Sequence, residues 1–114
     1  MRKIRRSECS VLPLVLKRKW FDMVASGAKR QEYRGHTPYW RRRIDNWDLR
    51  AYETGRPLVV EFRLGYTRGA PRMAFECPQG HPWYVCTGHL FPEWGEPAER
   101  HYVILLQRRV ELED

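Results

Sequence analysis

The residues with the clearest capacity for chemistry lie in one short segment, Gly27–Arg34. Lys29 and Arg34 can bind phosphate, the arginine through two parallel hydrogen bonds. Glu32 can accept hydrogen bonds from a base edge or a ribose hydroxyl. In a catalytic interpretation, a desolvated Lys29 is the nucleophile or base and Glu32 is its proton partner. The alternative is a solvated strand with surface ion pairs, because Glu32 lies between Arg30 and Arg34.

Basic residues are concentrated in the first half of the chain. The 114 residues include 21 Lys or Arg and 14 Asp or Glu, which gives a formal net charge of +7. Residues 1–50 contain 14 basic and 5 acidic side chains, whereas residues 51–114 contain 7 basic and 9 acidic ones. This asymmetry predicts one positive face and a polyanionic partner: RNA, single-stranded nucleic acid or a nucleotide. The alternative is that the charges serve only solubility.

Other cations and aromatic rings could complete such a site. The consecutive arginines 41–43 could contact phosphates, or they could form a solvated helix face. Planar rings could stack on unpaired bases, which contributes about 1–3 kcal/mol per base. The candidate nucleic-acid-binding residues are Lys17, Lys19, Lys29, Glu32, Tyr33, Arg34, Trp40, Arg41, Arg43, Arg63 and Tyr66.

A second group of residues could bind a metal. Cys77, His81, Cys86 and His89 offer ligand atoms that zinc accepts. Their spacing matches no standard zinc signature, and the two cysteines lie in strand-like segments where small apolar roles are common. The sequence also contains no phosphate-binding glycine loop and no dinucleotide fingerprint. We therefore expect neither a metal nor a cofactor.

The elements that must position the Gly27–Arg34 segment can be predicted from local patterns. Residues 11–16 are apolar enough for a strand, and residues 17–26 have helical spacing that ends at Gly27. Residues 29–34 are predicted to form a strand, with Lys29 on the face opposite Glu32. Thr37 and Pro38 are the cap and the first residue of a second helix that reaches the core residue Trp47.

The rest of the chain favours strands. Segments 58–64, 72–77, 83–87 and 101–106, the last extending to 110, are separated by Gly- and Pro-rich turns. We therefore predict an α+β fold with a small β-barrel of five to six strands flanked by two or more short helices. Residues 1–10 are expected to be a basic, flexible tail and residues 11–114 the domain. No apolar run reaches the roughly 20 residues of a membrane span, and no signal peptide is evident, so we expect a soluble, cytoplasmic protein with no membrane partner.

The chain resembles the small ASCH-domain proteins of the PUA-like superfamily over about residues 12–110. The resemblance depends mainly on the motif Gly-x-Lys-x-x-Glu-x-Arg, which Gly27, Lys29, Glu32 and Arg34 match. Further matching segments lie before and after this motif: Leu14-x-Leu16-Lys17, Trp20-Phe21-Asp22, Pro38-Tyr39-Trp40 with Arg43, residues 60–66, Glu93-Trp94-Gly95 and residues 102–106.

The resemblance implies a PUA-like barrel with a cleft near the motif, where RNA or a related nucleic acid binds. It also implies an alternative, because some small members are ribonucleases or act as amidohydrolases on acetylated cytidine. In that amidohydrolase group a threonine stands where this chain has Glu32, and the further catalytic carboxylate has no clear counterpart here.

A third hypothesis is a protein–protein adaptor that uses the aromatic segments Trp83–Tyr84 and Phe91–Trp94.

Overall fold

Two helices form close to where the sequence predicts them. In the computed structural model, which describes residues 1–114, α1 is Arg18–Ala25 and α2 is Pro38–Thr54. The Thr37 hydroxyl accepts a hydrogen bond from the N–H of Trp40 at 3.3 Å, so the predicted cap of α2 is confirmed. Helix α2 has 17 residues and ends at Thr54. The next residue, Gly55, caps it with a positive φ of 68°, which suits a residue without a side chain.

Eight strands form two separate sheets. The five-stranded sheet has the order β1-β8-β5-β4-β2, and the three-stranded sheet has the order β3-β7-β6. Strand β2 is parallel to β4, β1 is parallel to β8, and the remaining pairs are antiparallel. The strands are β1 Arg2–Arg5, β2 Ser10–Leu16, β3 Gln31–Gly35, β4 Leu58–Leu64, β5 Arg72–Glu76, β6 Trp83–Cys86, β7 His101–Leu105 and β8 Arg108–Glu113.

The predicted α+β class is confirmed, but the strands are more numerous than the five or six expected. The hydrogen-bond ladders do not join the two sheets into a closed barrel. The extra strands are β1 and β8, which pair with each other at one edge of the larger sheet. No helix is long and apolar enough to cross a membrane.

The main core lies between the two helices and the inner faces of the sheets. Leu12, Val60 and Phe62 project from one face of the larger sheet, and α2 covers them with Ile44 and Trp47. The indole of Trp47 is fully buried, and its N–H donates to backbone carbonyls at 3.0 and 3.2 Å. Because these carbonyls belong to Ser10 on β2 and Val59 on β4, this residue joins α2 to both strands.

The N-terminal residues are not the flexible tail expected from the sequence, because Arg2–Arg5 form a strand of the larger sheet and Arg6–Glu8 form a 3₁₀ turn. Ile4 of β1 is buried in a second, smaller core with Val59 and Val110 on the outer face of the sheet. Arg6 follows in a 3₁₀ turn and forms two hydrogen bonds, 3.0 and 2.7 Å long, with the Glu61 carboxylate. Burial of Ile4 and the ion pair between Arg6 and Glu61 therefore attach this basic N-terminal segment to the larger sheet.

Candidate functional site

The regular geometry of a strand places two motif side chains together. Glu32 and Arg34 are two residues apart on β3 and so project from the same face of the strand. Lys29 precedes the strand, and its N–H donates to the Met23 carbonyl of α1 at 3.0 Å. Strand alternation therefore does not reach Lys29, and the predicted placement of this side chain opposite Glu32 is wrong.

Glu32 binds two cations at once. Its Oε1 lies 3.0 Å from Lys29 Nζ and accepts the N–H of Tyr33, while its Oε2 lies 2.6 Å from Arg34 Nη2. The side chains of Lys29 and Glu32 are each only 3% exposed, and that of Arg34 is 17% exposed. The motif therefore forms a buried, net positive triad, not the solvated strand that the alternative interpretation required.

Aromatic rings surround the two cations of the triad. Lys29 Nζ lies 4.8 Å from the ring centre of Trp20 and 5.3 Å from that of Tyr33. The guanidinium carbon of Arg34 lies 4.8 Å from the ring centre of Trp40. Such cation–π contacts stabilise a charge that has lost water, by about 0.5–2 kcal/mol each.

The arginines near the cleft also occupy the free edge of β2. Arg34 Nη2 donates to the Val15 carbonyl at 3.2 Å, and Arg43 Nη2 donates to the Pro13 carbonyl at 2.8 Å. The Arg43 guanidinium carbon lies 5.0 Å from the Trp40 ring centre, so Trp40 lies in contact range of both arginines. The Nε of Arg34 is buried and has no hydrogen-bond partner.

The three triad side chains line a cleft of about 300 Å³ between α1, β2 and β3, whereas Trp40 and Arg43 lie outside its lining. Its far wall comes from the loop before β7, where Gly95 lies against the Trp20 ring. A Cβ atom at Gly95 would lie 2.8 Å from Trp20 Cζ2, closer than van der Waals contact allows. The lining residues that carry chemistry are Lys17, Trp20, Lys29, Glu32, Tyr33 and Arg34.

Trp20 and Gly95, which form the contact at the far wall, were not among the sequence candidates. Trp20 was expected in the core, but it lies one position before the buried stripe of Phe21 and Val24, and it is only half-buried. That offset is a sequence signal that could have identified it. Gly95 carries no such signal, because only the tertiary fold brings its loop over α1.

The other predicted nucleic-acid candidates lie at different distances from the cleft. Lys17 lines it, and Lys19 Nζ lies 4.7 Å from the Trp20 ring centre. Arg41 is exposed on α2 and is not part of the lining. Arg63 donates to the carbonyls of Tyr66 and Thr67, and Tyr66 is 84% exposed in that turn. This turn borders the end of β2, because the Gly65 N–H donates to the Leu16 carbonyl at 3.2 Å.

Ion pairing divides the basic residues into two sets. Arg2, Arg5 and Arg6 of the N-terminal segment all pair with carboxylates. Seven cations on or near α1 and α2 have no carboxylate partner within 4 Å, namely Lys17, Lys19, Arg30, Arg41, Arg42, Arg43 and Arg50. Apart from Lys3, the uncompensated cations of the first 50 residues therefore lie on or near the two helices.

The four residues considered as zinc ligands do not come together. Cys77 follows β5 in the larger sheet, where burial raises its pKa to about 12, and Cys86 ends β6 in the smaller sheet. Cys86 instead lies beside Glu96 and His101, so that three atoms able to bind a metal lie within 4.8 Å of one another.

A larger groove, of about 430 Å³, lies on the outer face of the five-stranded sheet. It contains Arg6 and Glu61, which already satisfy each other, with Asp114 3.4 Å from the same arginine. Arg72, Arg109 and Glu111 also line this groove without ion pairs, but its lining contains no aromatic ring that could stack on a base. We therefore favour the smaller cleft, which Trp20 and Tyr33 line, as the functional site.

The aromatic segments of the adaptor hypothesis pack mainly within the molecule. Phe91 and Trp94 stack on each other with ring centres 4.2 Å apart, and the Trp83 indole N–H donates to Asp48 at 3.0 Å. Tyr84 alone among them is a large exposed ring, at 43%. Comparison with protein-family models, with curated proteins and with solved structures finds no match to this chain.

Proposed function

We propose that this protein is a binding module for RNA, single-stranded nucleic acid or a nucleotide, with its site in the cleft beside the Lys29–Glu32–Arg34 triad. The observation that carries the proposal is the pairing of two cations in one cleft: the Arg34 guanidinium, 17% exposed, lines it beside Lys17, which is exposed and has no carboxylate partner. A guanidinium and an ammonium that line the same cleft can bind phosphate oxygens together. The resemblance to PUA-like ASCH domains supports the same partner class and a barrel-like arrangement of the two sheets.

The residues of the triad have two roles: Lys29 and Glu32 orient Arg34, and Arg34 contacts the ligand. Lys29 is buried and donates to Glu32, so we assign both residues to holding Arg34 in place. Arg34 and Lys17 contact phosphate oxygens, while the half-buried Trp20 ring offers a stacking surface for a base. The exposed Lys19 and Arg41 extend the phosphate path beyond the cleft.

Binding is tested by fluorescence anisotropy of a labelled single-stranded RNA, titrated at several salt concentrations. The double variant Lys17→Gln, Lys19→Gln should weaken binding and lower the salt slope by about 0.7 for each phosphate that the protein no longer neutralises. The matched control is Arg2→Gln, Lys3→Gln, which removes the same charge at the opposite edge of the five-stranded sheet. Equal weakening in both variants would indicate only general attraction, and no binding of RNA or single-stranded DNA at low salt would overturn the proposal.

A hydrolase acting on RNA or on a modified nucleoside is a second candidate, favoured by the 3.0 Å contact between Lys29 and Glu32. A nucleophile and a base within hydrogen-bond reach form the usual arrangement for covalent catalysis. In this structure, however, Lys29 Nζ is engaged as a donor to Glu32, and it would have to leave this contact before it could attack a substrate. Incubation with acetylated cytidine and with RNA, followed by chromatography, tests this candidate. Turnover that Lys29→Ala abolishes without loss of the fold would establish it.

A further inference from the structure

A cluster of metal-ligating side chains lies on the three-stranded sheet. Cys86 on β6 and His101 on β7 are directly opposite each other in the antiparallel ladder, so their side chains leave the same face. Glu96, from the loop that connects these strands, directs its carboxylate to the same point. The sulfur, carboxylate oxygen and imidazole nitrogen lie within 4.8 Å of one another.

Hydrogen bonds fix which atoms of the cluster face one another. His101 is fully buried, and its Nδ1 lies 2.6 Å from the Glu99 carbonyl oxygen, so this nitrogen carries a proton and donates it. Glu96 Oε1 accepts the N–H groups of Leu90 and Phe91, which holds the carboxylate in place. Histidines that bind metals usually donate their second N–H to a carbonyl or carboxylate in this way.

The nitrogen of His101 and the oxygen of Glu96 that face each other can be joined by a proton or by a metal cation. With Nδ1 donating to the Glu99 carbonyl, the second ring nitrogen of His101, Nε2, faces Glu96 Oε2 at 3.1 Å. Two acceptors at this distance repel unless a proton or a cation bridges them. The neighbouring Cys86 sulfur favours a metal cation, because its own hydrogen-bond contacts are only weak ones, 3.5 and 3.7 Å from carbonyl oxygens.

We propose that Cys86, Glu96 and His101 bind one Zn²⁺ ion per chain, with the fourth position open to water. Zinc binds thiolate, imidazole and carboxylate at about 2.0–2.3 Å in a tetrahedron, so its ligand atoms lie about 3.3–3.8 Å apart. The nitrogen–oxygen distance of 3.1 Å is already close to this range. The half-buried Cys86 needs to move its sulfur by about 1 Å at most. The thiolate selects zinc over magnesium or calcium, which prefer oxygen ligands.

The ion would also stabilise one wall of the cleft. Glu96 directly follows Gly95, the residue packed on Trp20, and the Tyr33 ring meets His101 edge to face with centres 5.8 Å apart. Zinc would therefore hold the loop before β7 in the position that closes the cleft over α1.

The experiment uses the full chain, stripped of metal with a chelator and titrated with Co²⁺, a spectroscopic substitute for Zn²⁺. We expect one equivalent of Co²⁺ to give a thiolate-to-cobalt charge-transfer band that Zn²⁺ then abolishes. Cys86→Ser should remove the band and weaken Zn²⁺ binding at least tenfold. Glu96→Gln should retain the band and also weaken Zn²⁺ binding about tenfold. The control His81→Gln alters an exposed histidine outside the cluster and should behave as the unaltered chain.

Circular dichroism of each variant is the control for the fold. The fully buried His101 is left unchanged, because its replacement is expected to disturb the fold itself. Absence of the band in folded, Co²⁺-saturated protein would overturn the proposal. Persistence of the band in Cys86→Ser would also overturn it, because the sulfur would then come from Cys9 or Cys77. Equal Zn²⁺ affinities of the unaltered chain and both variants would show adventitious binding and have the same consequence.

Discussion

Glu32 fixes the connecting segment before β3 to the strand, because its two oxygens bind Lys29 in that segment and Arg34 within β3. Removing one charge from a buried ion pair leaves the partner charge without compensation, which typically costs about 3–5 kcal/mol. Glu32→Gln keeps the size of the side chain but removes its charge. We expect this variant to lower the free energy of unfolding by about 3 kcal/mol, measured by urea denaturation.

The control for this prediction is Glu53→Gln, which makes the same chemical change at an exposed position of α2. Exposed substitutions away from special features change stability by at most about 0.5 kcal/mol. Equal effects of the two variants would contradict the assigned role of Glu32.

The three cysteines differ in burial, and their reactivity should differ accordingly. Cys9 and Cys77 are buried, and desolvation raises the pKa of both thiols, that of Cys77 to about 12. Only Cys86 is partly exposed. Because the thiolate is the reactive form, a thiol reagent at pH 8 with chelator present should modify one cysteine quickly in the native protein and three in urea.

The raised pKa of Cys77 also has a defined pH dependence. The neutral thiol is favoured in the folded chain, so this residue contributes stability below its ordinary pKa of 9.0, and that contribution is lost as the pH rises towards 12. Rapid labelling of Cys77 in the native protein at pH 9 would contradict this assignment, and peptide mapping identifies the modified residue.

At the scale of elements, the loop before β7 fits against α1 only because Gly95 has no side chain. Its φ is +84°, and an added Cβ would lie 2.8 Å from Trp20. Gly88 has the same φ of +84° but no atom within 4 Å of its Cβ position, so it is a matched control. Gly88→Ala should cost about 1–2 kcal/mol from the backbone alone, and Gly95→Ala should cost measurably more.

Both glycine variants are compared by urea denaturation and by RNA anisotropy. Gly95→Ala should weaken RNA binding as well, because it displaces a wall of the cleft, whereas Gly88→Ala should not. Equal costs in the two variants would show that the contact with Trp20 is unimportant.

Local patterns predicted much of the secondary structure but not the surroundings of the site. Helix α2 was predictable because Thr37 and Pro38 mark its start in the sequence itself. Strand β1 was not, because Ile4 is a single apolar residue among charges and becomes informative only when Val59 and Val110 lie beside it. Gly95 and Trp20 meet although they are 75 positions apart in the sequence, a pairing that no local pattern encodes.

At the scale of the whole molecule, β4 unites the two cores. Val60 and Phe62 face the main core, whereas Val59 faces the smaller core with Ile4. Disruption of either core therefore disrupts the same strand, and unfolding should be a single transition with equal midpoints by tryptophan fluorescence and circular dichroism.

Ile4→Ala tests this coupling, because removing a buried isoleucine typically costs about 2–5 kcal/mol. Both probes should shift to the same lower urea midpoint. The control Lys3→Ala alters the exposed neighbour in β1 and should have little effect. A transition that splits between the probes would show that the smaller core unfolds independently.

The hydrogen bonds along β2 affect whether two molecules of this protein can associate through this edge strand. An edge strand with free carbonyls is a template on which another chain can add a strand and begin to aggregate. On β2, Pro13 has no N–H to offer, and the carbonyls of Pro13 and Val15 are occupied by Arg43 and Arg34. Arg34 and Arg43, which lie beside the cleft, therefore also block the addition of a strand from another molecule at this edge.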